Sequence, residues 1–68
     1  MREVPIRGEM IRLGELLKLA GVVGTGGEAK LLLASTEVTV NGEPESRRGR
    51  QLRAGDEVLV GADALRVV

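Results

Sequence analysis

The chain has 68 residues, ten Lys+Arg balanced by ten Asp+Glu, and no Cys, His, Phe, Tyr or Trp. A domain of this length buries only about 60% of the surface its unfolded chain exposes. The missing Cys and His exclude a disulfide scaffold and a zinc-stapled core alike. Packing must then be aliphatic, and Leu, Val and Ile supply 21 residues for it, while zero net charge leaves only local clustering to attract a polyanion.

In chain order, Glu3 to Ile6 alternates polar and apolar residues, and Pro5 limits it to a short edge strand or an extended lead-in. From Arg12 to Ala20 the period changes to that of a helix. Leu13, Leu16, Leu17 and Ala20 share one face, Glu15 and Lys18 lie on the other, and Gly21 stops the run. Thr25-Gly26-Gly27-Glu28 has the spacing of a capping box, in which the Thr hydroxyl accepts an orphan N–H and the Glu side chain reaches back to the cap residue. A second helix follows, with Ala29, Leu32 and Leu33 as its apolar stripe and its end near Ser35 or Thr36.

From Glu37 the period becomes two, with Val38 and Val40 inward and Glu37 and Thr39 outward. Asn41-Gly42 then predicts a type I′ hairpin turn, because both central residues of that turn need positive φ. Pro44 marks the return strand as an edge. Ala54-Gly55-Asp56 turns the chain again, Val58 and Val60 form a strand, Gly61-Ala62-Asp63 turns, and Leu65 to Val68 closes the chain. The expected architecture is α+β, one domain over residues 1–68 with two short N-terminal helices on a small antiparallel sheet.

Catalysis has little to work with. Without His, Cys or Tyr, proton transfer falls to carboxylates or to Lys18 and Lys30, and no spacing sets a nucleophile beside a base. Glu43 and Glu45 could share a hairpin face, but a domain this small has no deep cleft to shift their pKa, so they read as a solvated edge. Neither a small-molecule substrate, a cofactor nor a metal is expected. No apolar run approaches the roughly 20 residues of a membrane helix, and the first ten residues have no signal-peptide core. A cytoplasmic chain without a membrane partner is the expectation.

Two segments carry binding chemistry. The loop Gly24 to Gly27 lacks the phosphate-loop spacing and reads first as a flexible entry to a Thr-capped helix. Free N–H groups of Gly26 and Gly27 there could also hold one backbone phosphate. Arg47, Arg48, Arg50 and Arg53 fall within seven residues, inside an acid-free stretch from Ser46 to Gly55. Such a run is either a solvated face or, because like charges repel, a site awaiting an anion that guanidinium forks grip well. Absent aromatics leave phosphates, shape and Arg planes as the means of binding RNA.

Arg12-Leu13-x-x-x-Leu17, Thr25-x-x-x-Ala29-Lys30-x-x-Leu33, Val38-x-Val40-Asn41-Gly42 and Gly55-Asp56-x-Val58 together resemble the S4 RNA-binding domain, over about residues 10 to 60. Gly26-Gly27-Glu28-Ala29-Lys30, Val40-Asn41-Gly42-Glu43 and Ser46-Arg47-Arg48-Gly49-Arg50 are similar to the small stand-alone bacterial members of that family. The resemblance implies an αL-type fold whose two helices and adjoining hairpin present a basic surface to structured RNA, ribosomal or transfer RNA, with ribosome association. It equates Arg12 with the Arg opening the first helix, Thr25 with the helix-2 cap, Lys30 with that helix's basic residue and Asn41-Gly42 with the hairpin turn. It also shows two departures: Thr25-Gly26 replaces the family's usual Ser-Arg, and Thr36 replaces a Gly. The expected function is a non-enzymatic, monomeric RNA-binding module using Arg12, Lys18, Thr25, Gly26, Gly27, Lys30, Asn41, Arg47, Arg48, Arg50 and Arg53. The alternative is a protein-interaction adaptor that uses the edge near Pro44, exposed Leu31 and the basic cluster.

Overall fold

A computed structural model describes residues 1–35 and 38–68. The expectations placed on Thr36 and Glu37 lie outside the described residues. Alternation at the N-terminus yields β1 (Arg2–Val4), shorter than expected because Pro5 offers no N–H to a ladder. Val4 points into the core. A two-residue strand, β2 (Ile11–Arg12), runs directly into α1 (Leu13–Leu19), where Leu13, Leu16 and Leu17 are fully buried. The helix ends as a Schellman motif: Gly21 N–H donates to Lys18 O at 3.0 Å and Val22 N–H to Leu17 O at 3.0 Å. Gly21 sits at φ 76°, a conformation that L side chains rarely adopt.

Thr25 caps α2 (Gly26–Ser35), which buries Ala29 and Leu33 and leaves Leu32 half-buried and Leu31 exposed. Thr25 Oγ1 accepts the Glu28 N–H at 3.1 Å, as the capping-box spacing requires, but the Glu28 carboxylate reaches one residue further back. It accepts the Gly24 N–H at 3.1 Å instead of that of Thr25.

β3 (Val38–Val40) and β4 (Glu43–Pro44) form the expected hairpin, with Asn41 at φ 52° and Gly42 at φ 87°. β5 (Gln51–Leu52) pairs antiparallel with β2 in a separate two-stranded sheet, which no periodicity announces because each strand is only two residues long. β6 (Glu57–Val60) and β7 (Asp63–Val67) complete the main sheet in the order β1-β7-β6-β3-β4. The fold is α+β as expected. The sheet itself is mixed: β1 runs parallel to β7, with Val4 opposite Val67, while its other pairs are antiparallel.

Val38, Val40, Val58, Val60, Leu65 and Val67 form one sheet face, and the buried leucines of α1 with Ala29 and Leu33 of α2 cluster with it, as does Leu52. Thr39 lies on the opposite face of β3 from Val38 and Val40, as expected, without being fully solvated. It is half-buried between Pro44 and Leu59, and its Oγ1 has no hydrogen-bond partner among the described residues.

Candidate nucleic-acid interface

After β4 the chain is tied down by the Glu45 N–H, which donates to Val38 O at 2.8 Å. The Glu45 carboxylate then gathers the following residues around it. Oε2 accepts the N–H groups of Ser46 and Arg47 and the Nε–H of Arg47, at 3.1, 2.9 and 3.0 Å. Oε1 accepts Nη2 of Arg47 at 3.0 Å and Nη1 of Arg50 at 2.9 Å. These donors, the Arg47 guanidinium first, then its N–H and Arg50, hold the carboxyl far below the usual carboxylate range, and the same pairing raises the pKa of Arg47.

Two sequence expectations change here. Glu45 is not a solvated edge residue, since its side chain is only 7% exposed. Nor is the Arg run unpaired, because a turn folds the carboxylate immediately before it onto two of its four guanidiniums.

The same segment completes the start of α1. Arg12, the cap residue, makes no side-chain cap, so the helix's first N–H groups need acceptors from elsewhere. The loop supplies them: Leu13 N–H donates to Arg50 O at 2.8 Å and Gly14 N–H to Arg48 O at 2.9 Å. Such an approach requires Gly14. A Cβ there would lie 2.5 Å from Cγ of Arg48 and 3.4 Å from its carbonyl oxygen. Sequence reasoning missed Gly14, although a glycine between Leu13 and Leu16 sacrifices about 1 kcal/mol of helix propensity relative to Ala, which is itself a signal.

Docked in this way, the loop carries Arg48 to an open groove of about 460 Å³ lined by Arg12, Gly14, Glu15, Lys18, Gly26, Arg48 and Gly49. Three cations, two from the β2–α1 segment and one from the loop, share it with the Glu15 carboxylate. Among the described residues, Arg12, Lys18 and Arg48 form no salt bridge. Nη1 of Arg48 makes a long contact of 3.5 Å to Gly26 O at the start of α2. No protein acceptor for the N–H of Gly26 or Gly27 is found among the described residues, so both remain available at a helix end that favours anions.

The remaining expected residues lie outside this groove. Thr25 is occupied as the cap. Asn41 holds its turn against β6: its Nδ2 donates to Asp56 Oδ1 at 3.1 Å and its Oδ1 accepts the Glu57 N–H at 2.9 Å. Lys30 and Gly27 are exposed along α2. Arg47 and Arg50 line a neighbouring depression with Gly49 and Gln51. Arg53 is exposed, and its N–H donates to Asp56 Oδ2 at 2.8 Å. The groove suits a phosphodiester, with fixed positive charge and N–H donors. Among the described residues, no group of three or more His, Cys, Asp or Glu could hold a metal ion, and no helix is long and apolar enough to cross a membrane.

Comparison with known proteins agrees with this arrangement. The chain is 53% identical over 57 residues to the "Probable ribosome maturation protein RlbA" of Bacillus subtilis (strain 168), a match covering 84% of this chain and 80% of that relative. The S4 domain family model matches residues 4–68, taking in both helices, the Arg48 loop and the whole sheet after its first strand begins, and the chain therefore belongs to the S4 domain family.

Proposed function

We propose that the protein is a non-enzymatic, cytoplasmic RNA-binding module that docks on structured RNA by gripping its phosphates, with ribosomal RNA as the first substrate to test and transfer RNA as the second. One observation carries the reading: Arg12 and Lys18 of the β2–α1 segment and Arg48 from a loop distant in sequence, none of them in a salt bridge among the described residues, converge beside the N-terminus of α2. The relative's name, a ribosome maturation protein, supports ribosomal RNA. S4 domains generally bind RNA, and the absence of aromatic side chains makes phosphate contacts the main source of affinity.

The test is a salt titration of binding to ribosomal RNA fragments, compared with Arg12→Ala, Lys18→Ala and Arg48→Ala. Each lost phosphate contact flattens the slope of log affinity against log salt by about 0.7–0.9. Weakening should be similar across RNA sequences, because phosphate contacts position a protein without reading bases. The melting temperatures of the Arg12 and Lys18 variants should barely move, since exposed charges add little stability. No binding at low salt would overturn the proposal in favour of a protein partner at the Pro44 edge or at Leu31, which is 70% exposed.

A further inference from the structure

We infer that Glu45 is a positioning residue for this RNA site: its carboxylate folds the 45–50 loop so that Arg48 enters the groove, and removing its charge weakens RNA binding even though the domain becomes more basic. The inference rests on the RNA reading above.

Simple electrostatics argues for the opposite result. Neutralising Glu45 raises the net charge from zero and releases Arg47 and Arg50 from their only salt-bridge partner among the described residues. On charge alone, a polyanion should then bind more tightly.

The geometry assigns the carboxylate a different task. Five donors from three successive parts of the loop converge on two oxygens. A Gln side chain at this position has a single acceptor oxygen, and its NH₂ group would face guanidinium or backbone donors. The loop would lose at least the bonds to one oxygen and gain a donor–donor clash. The carbonyls of that loop accept from Leu13 and Gly14, so its shape also sets where the Arg48 side chain leaves the backbone. An unfolded loop would have to be reordered each time RNA binds, and fixing the one long side chain of Arg48 anew lowers affinity by about two- to tenfold. Arg47, meanwhile, remains 72% exposed while paired, so the carboxylate does not hide it from a ligand.

The experiment compares wild type, Glu45→Gln, Glu45→Asp and Arg48→Ala by RNA affinity across salt, thermal melting and amide hydrogen exchange. Expected for Glu45→Gln is a two- to tenfold loss of affinity, a salt slope unchanged or shallower, and faster exchange at the Leu13 and Gly14 amides, whose acceptors belong to the loop. Tighter binding with a steeper slope would show that Glu45 merely masks charge, and the inference would fall. Should Glu45→Gln not fold, Glu45→Asp decides, because it keeps the charge and shortens the reach. Its loss of Leu13 and Gly14 protection with undiminished RNA affinity would also overturn the inference. Arg48→Ala separates the two claims: if it binds like wild type, the RNA reading of the groove fails and takes this inference with it. If it weakens binding while Glu45→Gln strengthens it, only the role of Glu45 is lost.

Discussion

Thr25 illustrates how much one side chain settles when its partners are near in sequence. Its hydroxyl oxygen accepts the Glu28 N–H, and its carbonyl accepts the Ala29 N–H at 3.1 Å. The Thr-x-x-Glu spacing was enough to place it, because every partner lies within one turn. Thr25→Ala should lower stability by about 0.5–2 kcal/mol in a denaturant titration, with RNA affinity falling little more than that loss explains. A collapse of affinity at unchanged stability would make Thr25 a contact residue instead. Glu45 was read wrongly although four of its five donors belong to the next two residues, because the turn conformation that aims them has no sequence signature as plain as a capping box. Its neighbours in sequence suggested an edge carboxylate, and only the turn after Pro44 shows that Arg50, five residues on, comes back to it at 2.9 Å.

Among the elements, α1 depends most on a distant segment. It is seven residues long, has no side-chain cap and draws acceptors for its first N–H groups from the Arg48 and Arg50 carbonyls. A helix this short does not persist on propensity alone, so the loop and the helix stabilise each other. Gly14→Ala tests that dependence. Propensity would favour Ala by about 1 kcal/mol, but the new Cβ would overlap Arg48 Cγ, and overpacking usually costs about 1–3 kcal/mol. The expected outcome is a melting temperature that does not rise, together with a loss of RNA affinity larger than the stability change accounts for. A stabilised variant with full affinity would mean that the loop moves aside without consequence. The apolar stripes of both helices and the Asn41-Gly42 turn could be read from periodicity and turn chemistry. The β2–β5 pair could not, because two-residue strands have no period to detect.

For the whole molecule, one edge of the sheet is β1, which lies outside residues 10 to 60, where the sequence resemblance is concentrated. Val4 is nearly buried, and β1 lies beside the last strand. Val4→Ala should therefore cost about 1–3 kcal/mol through lost burial and an unfilled space. Thermal unfolding should remain a single transition at a lower temperature. An unchanged melt would show that β1 adds nothing to the cooperative unit. Composition, periodicity and residue order were enough for the aliphatic core, the helix faces, the Thr25 cap, the turns and the family, because each depends on residues within a few positions of one another or on their linear order. Only the folded chain shows that β1 runs parallel, that two of the four clustered arginines are paired with Glu45, and that Arg48 joins Arg12 and Lys18. The first and last depend on how separate elements dock and the second on the turn after β4, while Gly14, whose cost in helix propensity is a signal in the sequence, has its reason only in the packed fold, where it lets the loop approach α1.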